Sequence, residues 1–305
     1  MNNIAQCLEG LEVGAPVEAE NLAVFPLFGS GGLGPEYMLL EDALAAGLAA
    51  VEEKGNEGSV PLLVLINKSE MNVLVLQGDE LVGGKQNRIL NVSVLAPPKS
   101  VLDLPVSCVE QGRWHQVSKR FRTGEKAFYR LRHRLNKHVT THRRASGRPL
   151  SDQADVWDGV EAELVAASAQ SSTRAMHAAH ESRRTTFEDL ERRLSYVEGA
   201  SGMACAVGGR LAFVEVFDRP AVCQRVWPRL VRSLASDAAP REYSYVPPSS
   251  ESVRRILDGA GAASVEEYPS PGAGRDVRIS SPQISGSGLV ADGAVIHCSL
   301  FATAR

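Results

Sequence analysis

The sequence predicts an α+β fold with a β-rich N-terminal unit, central helices and a C-terminal mixed αβ segment. Three observations carry this. Strand-like runs crowd the first 115 residues, helical spacing dominates residues 121–195, and the two patterns mix again after residue 200. Blocks of this kind argue for segregated elements rather than the regular strand–helix alternation of a parallel sheet. The expected layout is an N-terminal extension (1–20) and a single α+β domain (21–305), with a β-rich part (21–115), a helical part (121–195) and a mixed part (200–305).

Asn21–Phe28 is apolar and reads as a strand, followed by the glycine-rich turn Gly29–Pro35. Tyr37–Val51 carries Leu40, Leu44 and Leu48 at helical spacing and predicts a helix. Val60–Ile66 and Val73–Leu76 read as strands joined by a hairpin-like connection, Asn67–Glu70. Ile89–Leu95 alternates as a half-buried strand does, and Pro97-Pro98 ends it because proline donates no ladder hydrogen bond. Leu102–Val109 is the next strand.

Beyond Phe121 the spacing turns helical. A basic helical piece around Phe128, Leu131 and Leu135 is expected to give way to a loop rich in Thr, Ser and Gly. Ser151 or Asp152 can cap a helix through Val156, Val160 and Leu164, and a polar stretch, Ser168–Glu181, precedes a helix around Phe187, Leu190 and Leu194. Met203–Val207 and Leu211–Phe217 flank Gly208-Gly209, a two-residue hairpin turn suited to positive φ. Pro220 opens a helix through Val222, Val226, Leu230 and Leu234. The tail holds a helix at Ser252–Gly259 and strands near Asp276–Ser280 and Ala294–Phe301.

At 305 residues, with 44% hydrophobic and 23% charged residues, the chain is long and apolar enough to bury a sizeable core. The longest apolar runs, such as Val60–Ile66, fall far short of the ~20 residues a membrane helix needs, so no membrane partner is expected. No basic stretch followed by an apolar one opens the chain, and the five cysteines are scattered without a CxxC pair. Both observations point to a cytoplasmic protein with reduced, mostly core thiols. The net charge of −3 hides an asymmetry: residues 1–58 hold ten acids and one base, Lys54, whereas Lys119–Arg148 holds eleven bases and one acid, Glu125. The basic run could bind a polyanion, but few aromatics interleave with it and the net charge is negative, so nucleic acid is disfavoured. A contact between the acidic and basic blocks, within the chain or in a homo-oligomer, would use both.

The densest polar cluster is Leu76–Arg88, directly after the apolar run Val73–Leu76. Gln77, Asp79 and Glu80 lie at a strand end. Gly83-Gly84 can bring backbone N–H groups close to an anion, and Gln86, Asn87 and Arg88 offer amide and bidentate recognition. A polar loop locked by one Arg–carboxylate pair would account for any one of these residues; the cluster together reads as a small-molecule site. A second cluster, Ser107–Trp114, places Glu110 and Arg113 after a strand, with Gly112 allowing a bend and Trp114 offering a stacking face or a core anchor. Cys108 reads as a buried thiol, since no His is close in sequence to activate it. Gln153 and Trp157 share a face at the start of a helix. Metal spacing is poor: His138 and His142 stand among Lys and Arg, and His177 and His180 are no better. His297, on an apolar strand, reads as a satisfied core histidine. No phosphate-binding loop, dinucleotide fingerprint, zinc-protease or serine-elbow motif occurs, so the cofactor is unknown.

With these motifs laid out, the chain resembles the ARPP-1 family, the ARG and rhodanese-phosphatase-superfamily-associated protein domain. The likeness rests on Gly78-Asp-Glu-Leu-x-Gly-Gly-Lys-Gln-Asn-Arg88, Ser107–Trp114, Gln153-x-x-Val-Trp157, the Gly-Gly hairpin to Phe217 and Trp227-Pro-x-Leu230. It covers the chain from about Asn21 onward. The resemblance implies a link to NAD or ADP-ribose metabolism through association with ADP-ribosylglycohydrolase-type and phosphatase-type proteins, and it supplies no catalytic residue.

Three functions follow as expectations. The first is an enzyme, a hydrolase with paired carboxylates, acting on a nucleotide-derived or ribosylated small molecule. Glu80 and Glu110 would be its acid/base pair, one carboxylate held protonated while the other stays ionised. Arg88 and Arg113 would hold anionic groups, Gln86 and Asn87 would orient hydroxyls, and Trp114 would stack. The second is a non-catalytic ligand-binding module built from the same residues. The third is polyanion binding through residues 119–148.

Overall fold

A computed structural model describes residues 2–29, 33–55, 57–240 and 245–303. Residues 30–32 of the expected turn Gly29–Pro35 lie outside the described residues. The first third of the chain contains α1 (Asn3–Glu9), β1 (Glu12–Val13), β2 (Val17–Ala19), β3 (Leu22–Phe28), β4 (Tyr37–Leu39), α2 (Leu40–Ala45), β5 (Ala49–Glu53), β6 (Leu62–Asn67), β7 (Asn72–Val75), β8 (Asp79–Val82), β9 (Arg88–Leu90), β10 (Val94–Ala96) and β11 (Ser100–Cys108). β12 (Arg122–Lys126), α3 (Tyr129–Ser146), α4 (Gln153–Ala166), α5 (Met176–Ser182) and α6 (Arg184–Arg193) follow. The remainder holds β13 (Gly202–Val207), β14 (Arg210–Phe217), α7 (Pro220–Arg232), α8 (Ser250–Gly261), β15 (Ser264–Pro269), β16 (Arg275–Ser280), β17 (Ile284–Ala291) and β18 (Ala294–Ala302). The fold is α+β.

These elements divide into two compact units. Unit 1 comprises Met1–Gly34, Thr185–Glu267 and Arg275–Arg305. Its nine-stranded sheet runs β1-β3-β13-β14-β18-β17-β16-β15, with β2 added on β3. One face of that sheet, including Phe25, Leu27, Val214, Val216, Val277, Val295 and Leu300, packs in a single core with Ile4, Cys7 and Leu8 of α1 and Val253, Leu257 and Ala260 of α8. The spacing of three and four residues puts each helix's apolar groups on one stripe. Asn2 caps α1 by accepting from the Ala5 N–H, and Ser249 caps α8 by accepting from Ser252 N. Arg254 of α8 donates to the carbonyls of Leu8 (2.7 Å) and Leu11 (2.8 Å), satisfying groups at the end of α1. Residues 3–19, set apart above as an extension, thus supply α1, β1 and β2 to this unit. The β13–β14 hairpin turns at Gly208 and Gly209, with φ of +55° and +81°.

Unit 2 comprises Pro35–Arg184 and Tyr268–Gly274. It holds a six-stranded sheet, β12-β8-β9-β11-β6-β5, and a three-stranded one, β10-β7-β4. β11 joins two ladders: Ser100–Pro105 pairs with β6, and Val106–Cys108 pairs with β9.

Several expectations need correction here. Tyr37–Val51 is not one helix: β4 pairs in parallel with β7, β5 pairs with β6, and only Leu40–Ala45 is helical. Gly47, at φ +69°, follows the helix, and Leu48 is exposed, so pairing overrode the leucine spacing. β6 and β7 are not a hairpin, because they belong to different sheets. Ile89–Leu95 is buried throughout and breaks into β9 and β10 at Asn91–Ser93. Conversely, α3 runs on through Thr140–Ser146, where a loop was expected. Thr140 and Thr141 donate back to the carbonyls of Asn136 and Lys137, and Gly147 ends the helix at φ +69°. The polar stretch Ser168–Glu181 contains most of α5, anchored by buried Met176, Ala179 and His180. The expectations for β12, β15 and β17 were missing altogether.

Candidate functional site

The polar hairpin β8–β9 lies in the six-stranded sheet of unit 2. Its register pairs Glu80 with Ile89 and Leu81 with Arg88. Paired residues share a face and successive residues alternate, so the Glu80 and Arg88 side chains leave opposite faces of the sheet. The loop between them is closed on itself. Gly83 N donates to Asn87 Oδ1 (3.1 Å), Gly84 N to Ser118 Oγ (3.0 Å) and Lys85 N to Glu53 Oε1 (2.7 Å). The Gly83-Gly84 amides are therefore engaged by the protein rather than held open for an anion. The reason for glycine here is steric and conformational: φ is +134° and +53°, and a β-carbon on Gly84 would collide with the Phe121 ring.

On the Glu80 face, Glu110 and Arg113 organise one network. Arg113 donates through Nη1 to the carbonyls of Gly84 (2.8 Å) and His115 (3.2 Å). Through Nη2 it donates to the Gly83 carbonyl (3.3 Å), Asn87 Oδ1 (3.1 Å) and Glu110 Oε2 (2.5 Å). Glu110 also accepts from Asn87 N (3.1 Å) and, at Oε1, from the Thr173 hydroxyl (2.8 Å). This arrangement ties down the loop that follows β11. It leaves neither Nη atom of Arg113 waiting for a phosphate.

The same loop lays down the chain that carries His177. Gly112 N donates to the Thr173 carbonyl (2.8 Å), Met176 N donates to the Val109 carbonyl (2.9 Å), and Glu110 bridges Ala175. Gly112 permits this approach, since a β-carbon there would press on the Thr173 backbone. α5 then starts with His177 beside the sheet. His177 Nδ1 stands 3.4 Å from Oε2 of Glu80, and His177 Nε2 stands 3.5 Å from Oε1 of Glu181. Glu80 is fully buried, with both carboxyl oxygens shut off from solvent. A pocket of about 640 Å³ opens beside this pair, lined by Asn87, Glu110, Gln170, His177 and Glu181 among others. It is broadly open to solvent, so it would cover one side of a small ligand rather than enclose it.

Burial pushes the Glu80 carboxyl above its usual range, and the hydrogen bond and charge of His177 only partly offset it. His177 is raised by its hydrogen bond to Glu80, against the opposing effect of burial, with further help from the charges of Glu80 and Glu181. Burial also presses the Glu110 carboxyl upward, but the bonds from Arg113, Thr173 and Asn87 together overcome it and hold this group low. Two carboxyls near one pocket are thus driven in opposite directions, a pattern that separates acid and base roles.

On the other face, Arg88 is fully buried. It donates to Gln86 Oε1 (3.0 Å) and lies 4.0 Å from Glu53 Oε2. Trp114 is 48% exposed, with the Arg88 guanidinium and the Lys85 ammonium each 5.6 Å from its ring centroid. Trp114 is therefore not a core anchor. Cys108 pairs with Arg88 across β11 and β9, and burial pushes its thiol up to about 11, an inert state for a nucleophile.

The other candidates hold structure. Gln153 accepts from Cys108 N (2.8 Å) and donates to the Cys108 carbonyl (2.8 Å), clamping α4 to β11. Trp157, one turn on, buries an indole N–H without a hydrogen-bond partner. Gln77 gives its backbone N–H to Ser93 Oγ, and its carbonyl accepts from Lys126 Nζ, which also holds Asp79 at 2.8 Å. In unit 1, His297 lies 3.2 Å from Glu215 Oε1 and stacks on Phe217, the satisfied core histidine that was expected. His138 does have an acidic neighbour, Asp155 at 3.1 Å, supplied by α4. Arg134 meets the same Asp155, and Arg120 meets Glu52 (3.4 Å), so part of the basic run is answered within the unit. Among the described residues, no group of three or more His, Cys, Asp or Glu could hold a metal ion. All five cysteines are buried free thiols. No described helix is long and apolar enough to cross a membrane.

Sequence reasoning missed Thr173 and Glu53 and weighed His177 only as a metal ligand. His177 carries one local signal, Glu181 four residues on, but its link to Glu80 runs through pairing between distant segments.

Comparison with known proteins gives one result. No curated protein and no solved structure matches the chain. A family model, ARG and Rhodanese-Phosphatase-superfamily-associated Protein domain, matches residues 10–301 and thus nearly the whole chain. It takes in the hairpin, the Glu110 loop and α5 alike, and the chain belongs to the ARPP-1 family.

Proposed function

We propose that the chain is an enzyme acting on a nucleotide-derived or ribosylated small molecule, with His177 and Glu80 as its proton-transferring pair. One observation carries the reading: an imidazole in a pocket wall stands 3.4 Å from a wholly buried carboxylate. An exposed histidine on a solvated helix needs no such partner. A buried carboxyl behind it fixes the ring and sets its basicity, as a general acid or base requires. Protonated His177 would give a proton to the leaving atom of the bond being broken; the neutral ring would take one from water. Glu110, ionised and held by three donors, shapes the pocket as a positioning residue. Support for the substrate class is the link to ADP-ribosylglycohydrolase-type proteins that the family resemblance implies; the family description itself names an association with ARG and the rhodanese-phosphatase superfamily.

A thermal-shift screen against NAD, ADP-ribose and related nucleosides tests the reading, since a ligand at 100 times its dissociation constant adds ~2.7 kcal/mol of stability. Mass spectrometry of each hit then separates turnover from binding. Glu80→Gln should abolish turnover while leaving binding nearly intact, and unchanged turnover in that variant removes the catalytic role.

The second reading is a non-catalytic binding module, favoured by the full engagement of Glu110 and Arg113 with protein groups. It predicts hits without product. The polyanion reading rests on the exposed Arg130, Lys137, Arg144 and Arg148 of α3 and its following turn. It predicts affinity that collapses as salt rises.

A further inference from the structure

We infer that the His177 pocket takes a neutral, polyhydroxylated ring, such as an unphosphorylated sugar or the ribose of a nucleoside, and leaves phosphate groups outside. This rests on the reading of that pocket as the functional site and names the part of the ligand it grips.

The lining decides the class. None of the residues lining the pocket is a lysine or arginine. Phosphate recognition concentrates N–H donors and positive charge, most often from arginine. Here the ionic groups in the wall are the carboxylates of Glu110 and Glu181, with His177 between cation and neutral ring. Arg113, the nearest guanidinium to Glu110, is held by three carbonyls, Asn87 and Glu110 itself. A dianion entering this pocket would meet two like charges in the wall, with His177 as the compensating group in the lining and Arg122 acting on it from outside the lining.

Hydroxyl-bearing rings suit it better. Each hydroxyl donates once and accepts twice, so it wants groups that do both. Asn87 keeps an amide nitrogen that its bonds to Gly83 and Arg113 do not use. Ser168 and Gln170 add an exposed hydroxyl and a second exposed amide, and Glu181 adds an acceptor. Ala169, Ala175 and Ala178 complete the wall with methyl groups, against which the C–H face of a ring can lie. His177 Nε2 is then placed among hydroxyl oxygens rather than phosphate oxygens, where acid–base chemistry at a glycosidic-type bond would occur.

The test follows the His177 imidazole resonance of the full chain during titration with adenosine, ADP-ribose and inorganic pyrophosphate. Adenosine and ADP-ribose should both move it, with dissociation constants within about threefold of each other, a gap of ~0.7 kcal/mol. Pyrophosphate should leave it still. Gln170→Leu should weaken adenosine about tenfold, or ~1.4 kcal/mol. A response to pyrophosphate, or ADP-ribose binding more than about tenfold tighter than adenosine, overturns this inference alone. Silence from all three probes overturns the reading of the site as well.

Discussion

Glu80 and Arg88 sit on paired strands of one hairpin, yet their side chains leave the sheet on opposite faces. A stretch of sequence that looks like one polar cluster therefore serves two environments. Glu80 meets His177 in a pocket wall, whereas Arg88 meets Gln86, Glu53 and the exposed Trp114 ring.

The first prediction concerns the pH dependence of stability through His177. Its folded pKa lies above the ordinary value of 6.5, so its contribution is complete below 6.5 and disappears as pH rises through the folded value. Glu80 is also raised, so it too favours the folded state below 4.5 and loses that contribution as pH rises through its own folded value. Both effects make stability fall with rising pH. Glu80→Gln should flatten that slope in urea unfolding and return the His177 titration, followed by NMR, toward 6.5. A raised His177 value persisting in the variant would show that Glu80 is not its partner.

Glu110 carries the opposite sign. Its folded pKa is below the ordinary 4.5, so its contribution is present above 4.5 and vanishes as pH falls through the folded value. Arg113→Ala leaves that carboxylate buried without its guanidinium, and loss of such a partner costs about 3–5 kcal/mol. Arg113→Lys should recover only part, because one ammonium cannot reach the carbonyls of Gly84 and His115 as well as Glu110. Denaturation midpoints for the two variants decide this; equal midpoints would contradict it.

Glycine substitutions should separate strain from collision. Gly47 and Gly84 both have positive φ, but only Gly84 is crowded, by the Phe121 ring and a Glu53 carboxylate oxygen. Gly47→Ala should cost about 1 kcal/mol, the conformational term alone. Gly84→Ala should add about 1–3 kcal/mol of overpacking to that. Similar melting temperatures for the two variants would mean that the loop yields freely.

Cys108 should alkylate very slowly at neutral pH, because burial pushes its thiol up to about 11. Gln153→Ala, which removes both bonds to the Cys108 backbone, should destabilise by about 1–3 kcal/mol and speed labelling as α4 loosens from β11. Iodoacetamide labelling read by mass spectrometry checks both. Rapid labelling of the native protein would reopen a nucleophilic role for this thiol.

Legibility in the sequence followed locality. The β13–β14 hairpin was readable because Gly208-Gly209 announces its own turn, and α4 because Asp152 accepts from Ala154 and Asp155 at its start. Tyr37–Val51 misled because Leu40, Leu44 and Leu48 repeat at helical spacing while pairing with β7 and β6 claims its two ends. Glu110 and Arg113 stand three residues apart, so their contact lies within reach of the sequence; the clamp that Glu110 makes on Asn87 and Thr173 does not. His177 was passed over as an indifferent metal ligand. Its chemistry comes from Glu80, and only the alignment of residues 109–112 with 173–176 brings the two together.

The discontinuity of unit 1 also sets an order of assembly during synthesis. α1 leaves the ribosome well before α8, β17 and β18, with which its Ile4, Cys7 and Leu8 form a core. At translation rates of about 5–20 residues per second, that apolar stripe waits on the order of ten seconds or more for its partners. Unit 2, apart from Tyr268–Gly274, is complete well before then. A nascent chain halted before Ser250 should therefore carry unit 2 without Tyr268–Gly274 and an α1 still open to a chaperone, because the partners of its apolar stripe are not yet made.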